Sequence, residues 1–294
     1  MYPAQRMEHA QLALVGDLHS WWHEADTEYF NASPYELLLF TGDLGSNGPQ
    51  NGVAVARSLG RLARPALVMM GNNDAAEYSR ITAELNYRQG RERLLRSLPS
   101  LRPGQLTVRA CGLSSHRFKL AGLDLTVIAG RPFAMGNSEL SSPDALRATY
   151  GVKAAHEATD LLRSLVDGAD TEHLLFLAHN GPRGFGAEHD APWGRDFHPE
   201  AGDWGDADLA EAVIHARSSG RRVLAVVAGH MHWSLRTGGK RRWLLEQDGT
   251  LYINAARVPR IVKHQEKLVH HHIALRLTPT GAEAVEIRVE RPPE

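Results

Sequence analysis

The stretch VLAVVAGHMH, residues 223–232, decides how this chain is read. Six apolar residues, half of them valine, run into a glycine and then two histidines separated by one methionine. A short apolar run rich in β-branched residues and bounded by turn residues predicts a strand buried on both faces. Gly229 lets the backbone turn tightly where that strand ends. His230 and His232 are then delivered together at its C-terminal lip, the place where open α/β sheets bind ligands. Two neutral imidazoles so close together suit borderline metals such as zinc, manganese or iron.

The same design recurs along the chain. Residues 12–15 lead into Gly16-Asp17-Leu18-His19, and residues 37–41 (LLLFT) into Gly42-Asp43. Residues 66–70 (ALVMM) lead into Gly71-Asn72-Asn73-Asp74, and residues 174–178 (LLFLA) into His179. Taken singly, an Asp or Asn after a glycine is a turn residue and a lone His is a hydrogen-bonded structural group. Taken together, Asp17, His19, Asp43, Asn72, His179, His230 and His232 exceed what one tetrahedral ion needs. They suit two divalent ions sharing a bridging carboxylate, which activate a water and clamp both oxygens of a phosphoryl transfer.

The rest of the chain supplies the frame. Helical patterns cover residues 53–63 and 75–98, the second with a break near Gly90 and with Leu94, Leu95 and Leu98 at helical spacing. Residues 106–109, 117–120 and 123–129 predict strands, and residues 152–166 and 207–218 predict helices. Beyond residue 234 the pattern is mostly strands, at 251–255, 268–277 and 284–289. Residues 183–206 form a long loop rich in glycine, aspartate and histidine that carries Trp193, Phe197 and Trp204. Loops of that length are functional or disordered, and the aromatics favour an ordered lid over the site. With no linker or internal repeat, residues 1–294 read as a single domain.

Composition excludes several function classes. Apolar residues make up 43% and charged residues 23%, which fits a globular chain with a substantial core. Thirty-three basic against 34 acidic residues give a net charge of −1, hence no overall field for nucleic acid or an anionic membrane. The single cysteine, Cys111, reads as a buried structural thiol in a reducing compartment. No signal-like or membrane-spanning run occurs, so a cytoplasmic location is expected. Neither a GxSxG nucleophile elbow nor a phosphate-binding GxxxxGK[ST] loop occurs.

The ordered set GD-x-H, GD, GNxD, H and GHxH resembles the calcineurin-like metallophosphoesterase family. The finer texture, with GRPFAMG, LAHNGP, GDWGDADL and NAARVPR, is similar to a branch found in cyanobacteria and plastids. The resemblance implies an α/β fold: a four-layer αββα sandwich of two mixed β-sheets flanked by helices. It implies that Asp17, His19 and His232 bind a first metal ion, that Asn72, His179 and His230 bind a second, and that Asp43 bridges both. A hydroxide between the ions would then attack phosphorus in line. Manganese, iron and zinc all suit the ligands, with manganese favoured.

The chain departs from the family pattern at Asn73, where the usual residue is a histidine that protonates the leaving oxygen. A carboxamide donates a hydrogen bond but is no general acid. Asp74, which would orient that histidine, is retained. His189 or His198 from the lid is the expected replacement acid. Arg131, at another strand end, is a candidate to hold a phosphate oxygen, with a surface ion pair as the other reading. His270, His271 and His272 lie in a strand pattern whose outer two share a face, read as a solvated face in preference to a metal site. The Asp-Arg pair of serine/threonine phosphatases and the tyrosine ligand of purple acid phosphatases are both absent, the latter position being Ser46. The expectation is a dinuclear phosphodiesterase for a small or nucleotide-like phosphate ester. The alternatives are a phosphomonoesterase, or a catalytically inactive metal-binding interaction module.

Overall fold

A computed structural model describes residues 9–46, 48, 50–96, 107–136 and 139–291, with the backbone alone for 89–96. The first half contains β1 (Ala10–Val15), α1 (Glu24–Ala32), β2 (Leu37–Phe40), α2 (Gly52–Leu59), β3 (Ala66–Met69), a 3-10 segment (Asn72–Glu77), α3 (Tyr78–Arg96) and β4 (Val108–Cys111). There follow β5 (Ser114–Leu120), β6 (Leu123–Ala129), α4 (Pro143–Tyr150), α5 (Ala155–Asp167), β7 (His173–Leu177), α6 (Ala207–Ser218) and β8 (Arg222–Ala228). The last elements are β9 (Leu244–Gln247), β10 (Thr250–Asn254), β11 (Ile261–His264), β12 (Lys267–Thr278) and β13 (Gly281–Arg291).

The apolar runs that end in glycine form the centres of two mixed sheets. In the first, β1 to β4 lie side by side in parallel, and β12 closes against β1 in the antiparallel sense. One edge of β12 is shared between β11 and β1, while β13 takes the other edge along its whole length. In the second sheet β6, β7, β8 and β10 are parallel, with β5 and β9 antiparallel at the edges.

Alternation along the strands explains why these runs carry so few polar residues. Leu12, Leu14, Leu37 and Leu39 face Leu125, Val127, Leu175 and Val227 in a core between the sheets. Their neighbours Ala13, Val15, Leu38 and Phe40 point the other way, into a core shared with Phe30, Val55 and Leu59 of α1 and α2. On the second sheet Phe176 and Val226 meet Leu162, Val166 and Ala212 of α5 and α6. A strand covered on both faces must be apolar at every position, which a half-exposed strand need not be. The architecture is the expected αββα sandwich.

Several local expectations change. Helix α3 passes through Gly90 without a break, and a tighter 3-10 segment, Asn72–Glu77, runs directly into it. The side chains of Leu94 and Leu95, and all of Leu98, lie outside the described residues. The pattern at 152–166 resolves into α5, whose N-terminus is fixed by Glu157 accepting from the backbone N–H groups of Lys153 and Ala154. Helix α1 had no strong periodic signal, because it packs through the stack of Trp22 on Phe30 and buries Asp26.

The histidine triplet is not a solvated face. His270, His271 and His272 are all buried. His270 Nδ1 and the Arg260 guanidinium both bond Asp26 Oδ1 at 2.9 Å, and His272 Nε2 meets the Tyr35 hydroxyl at 2.8 Å. His271 lies on the opposite face beside the Trp233 ring. Coverage of β12 by α1 on one face is what the local sequence does not show. Cys111 closes β4 and is buried, as expected, and burial pushes its thiol above the usual range.

Candidate metal centre

Parallel strands of both sheets end at one place, and glycine makes the approach possible. A Cβ on Gly229 would fall 2.0 Å from Asp17 Oδ1, and one on Gly71 would fall 2.1 Å from Asp43 Oδ1. The backbone of one strand end can therefore lie against the carboxylate of another only where no side chain stands. His19, Asp43 and His230 all adopt positive φ, at 42°, 49° and 66°. Non-glycine residues hold that strained conformation where the surroundings over-determine it, and such residues cluster at functional sites.

The side chains converge in two overlapping groups. Asp17, His19 and His232 form one, and Asp17, Asp43 and His179 the other, with ligand atoms in each group within 4.8 Å of one another. Asp43 lies between them, with Oδ2 3.5 Å from His19 Nε2 and Oδ1 3.5 Å from His179 Nε2. Asn72 Oδ1 is 2.9 Å from His179 Nε2, and the His230 ring packs against that of His179 with centroids 5.1 Å apart. All seven residues singled out for metal are brought together. The sharing of Asp17 between the groups is a feature the sequence did not suggest.

The donor chemistry fits a cation. The Thr41 carbonyl can only accept, so His179 Nδ1 donates to it at 2.7 Å and Nε2 is left facing Asn72 Oδ1 and Asp43 Oδ1. Three acceptor atoms around one point need positive charge there, from a proton or a metal ion. In agreement, burial works against protonation of His179, yet Asp43 and Asp17 outweigh it and raise its basicity. Burial, with His179 next in weight, pushes His230 down to about 3, so it presents a lone pair at neutral pH. Burial lowers His232 as well. Asp43 stays ionised although buried, because His179 and His19 flank it.

The groups around the ligands have distinct jobs. Asn73 donates its backbone N–H to Asp43 Oδ1 at 2.9 Å and its side-chain amide to Oδ2 at 2.7 Å. Asp74 lies beneath the floor, its two oxygens accepting from the N–H groups of Leu44 and Gly71 at 2.9 and 2.8 Å. Burial and the nearby Asp43 push its carboxyl up to about 7. Arg131 is neither a phosphate ligand on the cavity wall nor a surface pair. It is buried, with Nε on Asp208 at 2.7 Å and Nη2 on Asp206 at 3.1 Å.

Above the floor opens a cavity of about 780 Å³ lined by His19, Asp43, Asn72, Asn73, His230 and His232. Its outer wall comes from Met135, Gly136, Glu139, Asp196, Phe197, Trp204 and Arg236, with Trp204 seated against Met135 and Gly136. The 183–206 loop thus borders the site. His189 and His198, however, are not among the lining residues. His189 Nδ1 bonds the Arg195 carbonyl at 2.7 Å, because Arg241 gathers the carbonyls of His189, Ala191 and Gly194 and folds that segment onto itself. Thr41, Arg236 and Arg241 went unnoticed in the sequence. Only Thr41 carries a signal there, as the one polar residue closing an apolar run.

An αββα sandwich whose joint sheet edge gathers carboxylates and imidazoles is the architecture of a metal-dependent hydrolase. The model of the calcineurin-like phosphoesterase family matches residues 10–234, and the chain belongs to that family. Its activity class is accordingly that of a metal-dependent phosphoesterase. A solved crystal structure aligns over 95% of this chain and 99% of its own length, with a TM-score of 0.54 and 10% identity. Vacuolar Protein Sorting 29 from Cryptosporidium parvum aligns over 97% of this chain and 100% of its own, with a TM-score of 0.32 and 10% identity. At 10% identity the likeness to the first of these is one of fold. No curated protein matches the chain. Among the described residues no helix is long and apolar enough to cross a membrane.

Proposed function

We propose that the protein is a dinuclear phosphodiesterase for a small or nucleotide-like ester, working in the cytoplasm with manganese as the favoured metal. The observation that carries the dinuclear reading is the division of Asp43. Each of its oxygens lies 3.5 Å from a different imidazole, one in each ligand group. Asp17, His19 and His232 would hold one ion, Asn72, His179 and His230 the other, with Asp43 between. Divalent ions held there supply Lewis-acid charge and an activated water for attack on phosphorus.

The chain's own residues set the limits of that chemistry. Asp74 anchors the backbone that carries Asn72 and Asn73, and so fixes the floor. Asn73 can orient Asp43 but has no proton to give a leaving oxygen. With no histidine of the 183–206 loop on the cavity wall, esters with good leaving groups are favoured. A general acid is worth about 10²–10⁴-fold, least where the leaving group departs unaided.

The test is hydrolysis of bis-p-nitrophenyl phosphate and p-nitrophenyl phosphate with manganese added or chelated, with Asp43→Ala as control. The expected result is metal-dependent turnover lost in Asp43→Ala, with the diester cleaved faster. Preference for the monoester makes the protein a phosphomonoesterase. Two bound ions per chain with no turnover under manganese, iron or zinc makes it a metal-binding interaction module, the reading that Asn73 favours.

A further inference from the structure

The metal ligands account for the floor of the cavity but not for its outer wall. On that wall Phe197 is 37% exposed, although a phenylalanine gains by burial. Trp204 packs edge-on against it with centroids 5.0 Å apart. Trp204 is itself fixed, donating Nε1–H to the Met135 carbonyl at 2.5 Å and seated where a Cβ on Gly136 would fall 2.3 Å from its ring. The Arg236 guanidinium lies 5.7 Å from the Phe197 centroid and has no carboxylate partner among the described residues. The one acid beside it, Asp196, is committed: Oδ2 accepts from the Arg236 backbone N–H at 2.8 Å, and Oδ1 faces Arg241 at 3.1 Å. Glu139 also lines the cavity and makes no ion pair with Arg236. The wall therefore carries a guanidinium that lies over a partly exposed aromatic ring and whose N–H fork has no carboxylate partner among the described residues.

The cavity, about 780 Å³, has room for far more than the phosphoryl group over the ligands. Building on the phosphoesterase reading, we infer that Phe197 and Arg236 form a second subsite, holding a planar aromatic group of the substrate against the ring and a second anionic group, a phosphate, in the arginine fork. A guanidinium presents paired N–H donors that match two phosphate oxygens, and it stacks on aromatic faces without losing them. Arg236 thereby takes the anion-holding role that Arg131, locked between Asp206 and Asp208, does not fill. The substrate class is an aromatic or nucleoside ester carrying more than one phosphate.

The test is calorimetric titration of the manganese-loaded protein with AMP and with α,β-methylene-ADP, whose bridging carbon resists hydrolysis. The wild type should bind the diphosphate analogue about tenfold tighter than AMP, the worth of one charge-assisted contact. R236Q should erase that difference, R236K should restore part of it, and F197A should weaken both ligands. Both side chains are exposed, so the variants keep the fold. Equal binding of the two ligands by the wild type, or unchanged binding in R236Q and F197A, overturns the subsite. Product formation from AMP is followed alongside the titration and turnover is read separately in the nitrophenyl assay, so selective binding without turnover would remove the hydrolase reading and leave the subsite standing.

Discussion

Thr41 orients two candidate ligands at once, Asp17 and His179, which makes it the most informative single residue outside the candidate set. Its hydroxyl donates to Asp17 Oδ1 at 2.8 Å and its carbonyl accepts from His179 Nδ1. Thr41→Val keeps the shape and the carbonyl but removes the hydroxyl. Affinity for manganese should fall about 10–100-fold, the usual effect of removing a group that orients a ligand. Turnover at saturating manganese should change little. A manganese titration checks this, and unchanged affinity would show that Asp17 needs no such support. The residues that converge on the floor were legible because each follows a strand and most follow a glycine, a pattern local in sequence. Arg131 was misread because its partners lie 75 and 77 residues away, and nothing near it in the chain announces them.

Arg241 acts on a whole element. From the segment after β8 it donates to three carbonyls of the 183–206 loop and pairs with Asp196 of the same loop. Arg241→Met fills the space but removes the donor that ties those carbonyls together and the cation paired with Asp196 Oδ1. Breaking a buried pair of this kind costs about 3–5 kcal/mol. Amide exchange should accelerate across residues 183–206 while β7 and β8 stay protected. Equal protection in the variant and the wild type would mean that the loop is held by its aromatics alone. At this scale the sequence showed strands better than helices. Strands buried on both faces are unbroken apolar runs, whereas α1 buries Asp26 and Thr27 and has no clean stripe. The absence of a break at Gly90 has a similar cause, since one glycine weakens a helix by only about 1 kcal/mol.

The buried histidines of β12 should draw on stability in mild acid. Burial, aided by neighbouring arginines, pushes His271 down to about 2 and His272 down to about 3. Their unfolded value is about 6.5, so below that pH the unfolded chain binds more protons than the folded one. Each histidine's contribution is complete above pH ~6.5 and lost at up to about 1.4 kcal/mol per pH unit as pH falls. Asp26 is held ionised by Arg260 and His270 against its burial, so its contribution persists until pH falls below about 4. Thermal unfolding of the metal-free protein between pH 7.5 and 5 should show the loss, and His272→Gln should reduce its slope. An unchanged slope would mean that His272 is not buried neutral. The αββα layering could be inferred from the motif order, but the burial of this histidine triplet could not, because Asp26, Tyr35 and Arg260 meet it only in the folded chain. One consequence of the first sheet concerns time. Ala10 of β1 pairs with Leu277 of β12, so a strand made early waits for one made late. Until β12 leaves the ribosome, one side of β1 has open backbone donors and acceptors, the kind of edge that recruits stray strands. Every candidate ligand from Asp17 to His232 is already synthesised by then, so a metal ion bound there would hold the two unfinished sheets in register while the chain waits for its last strands.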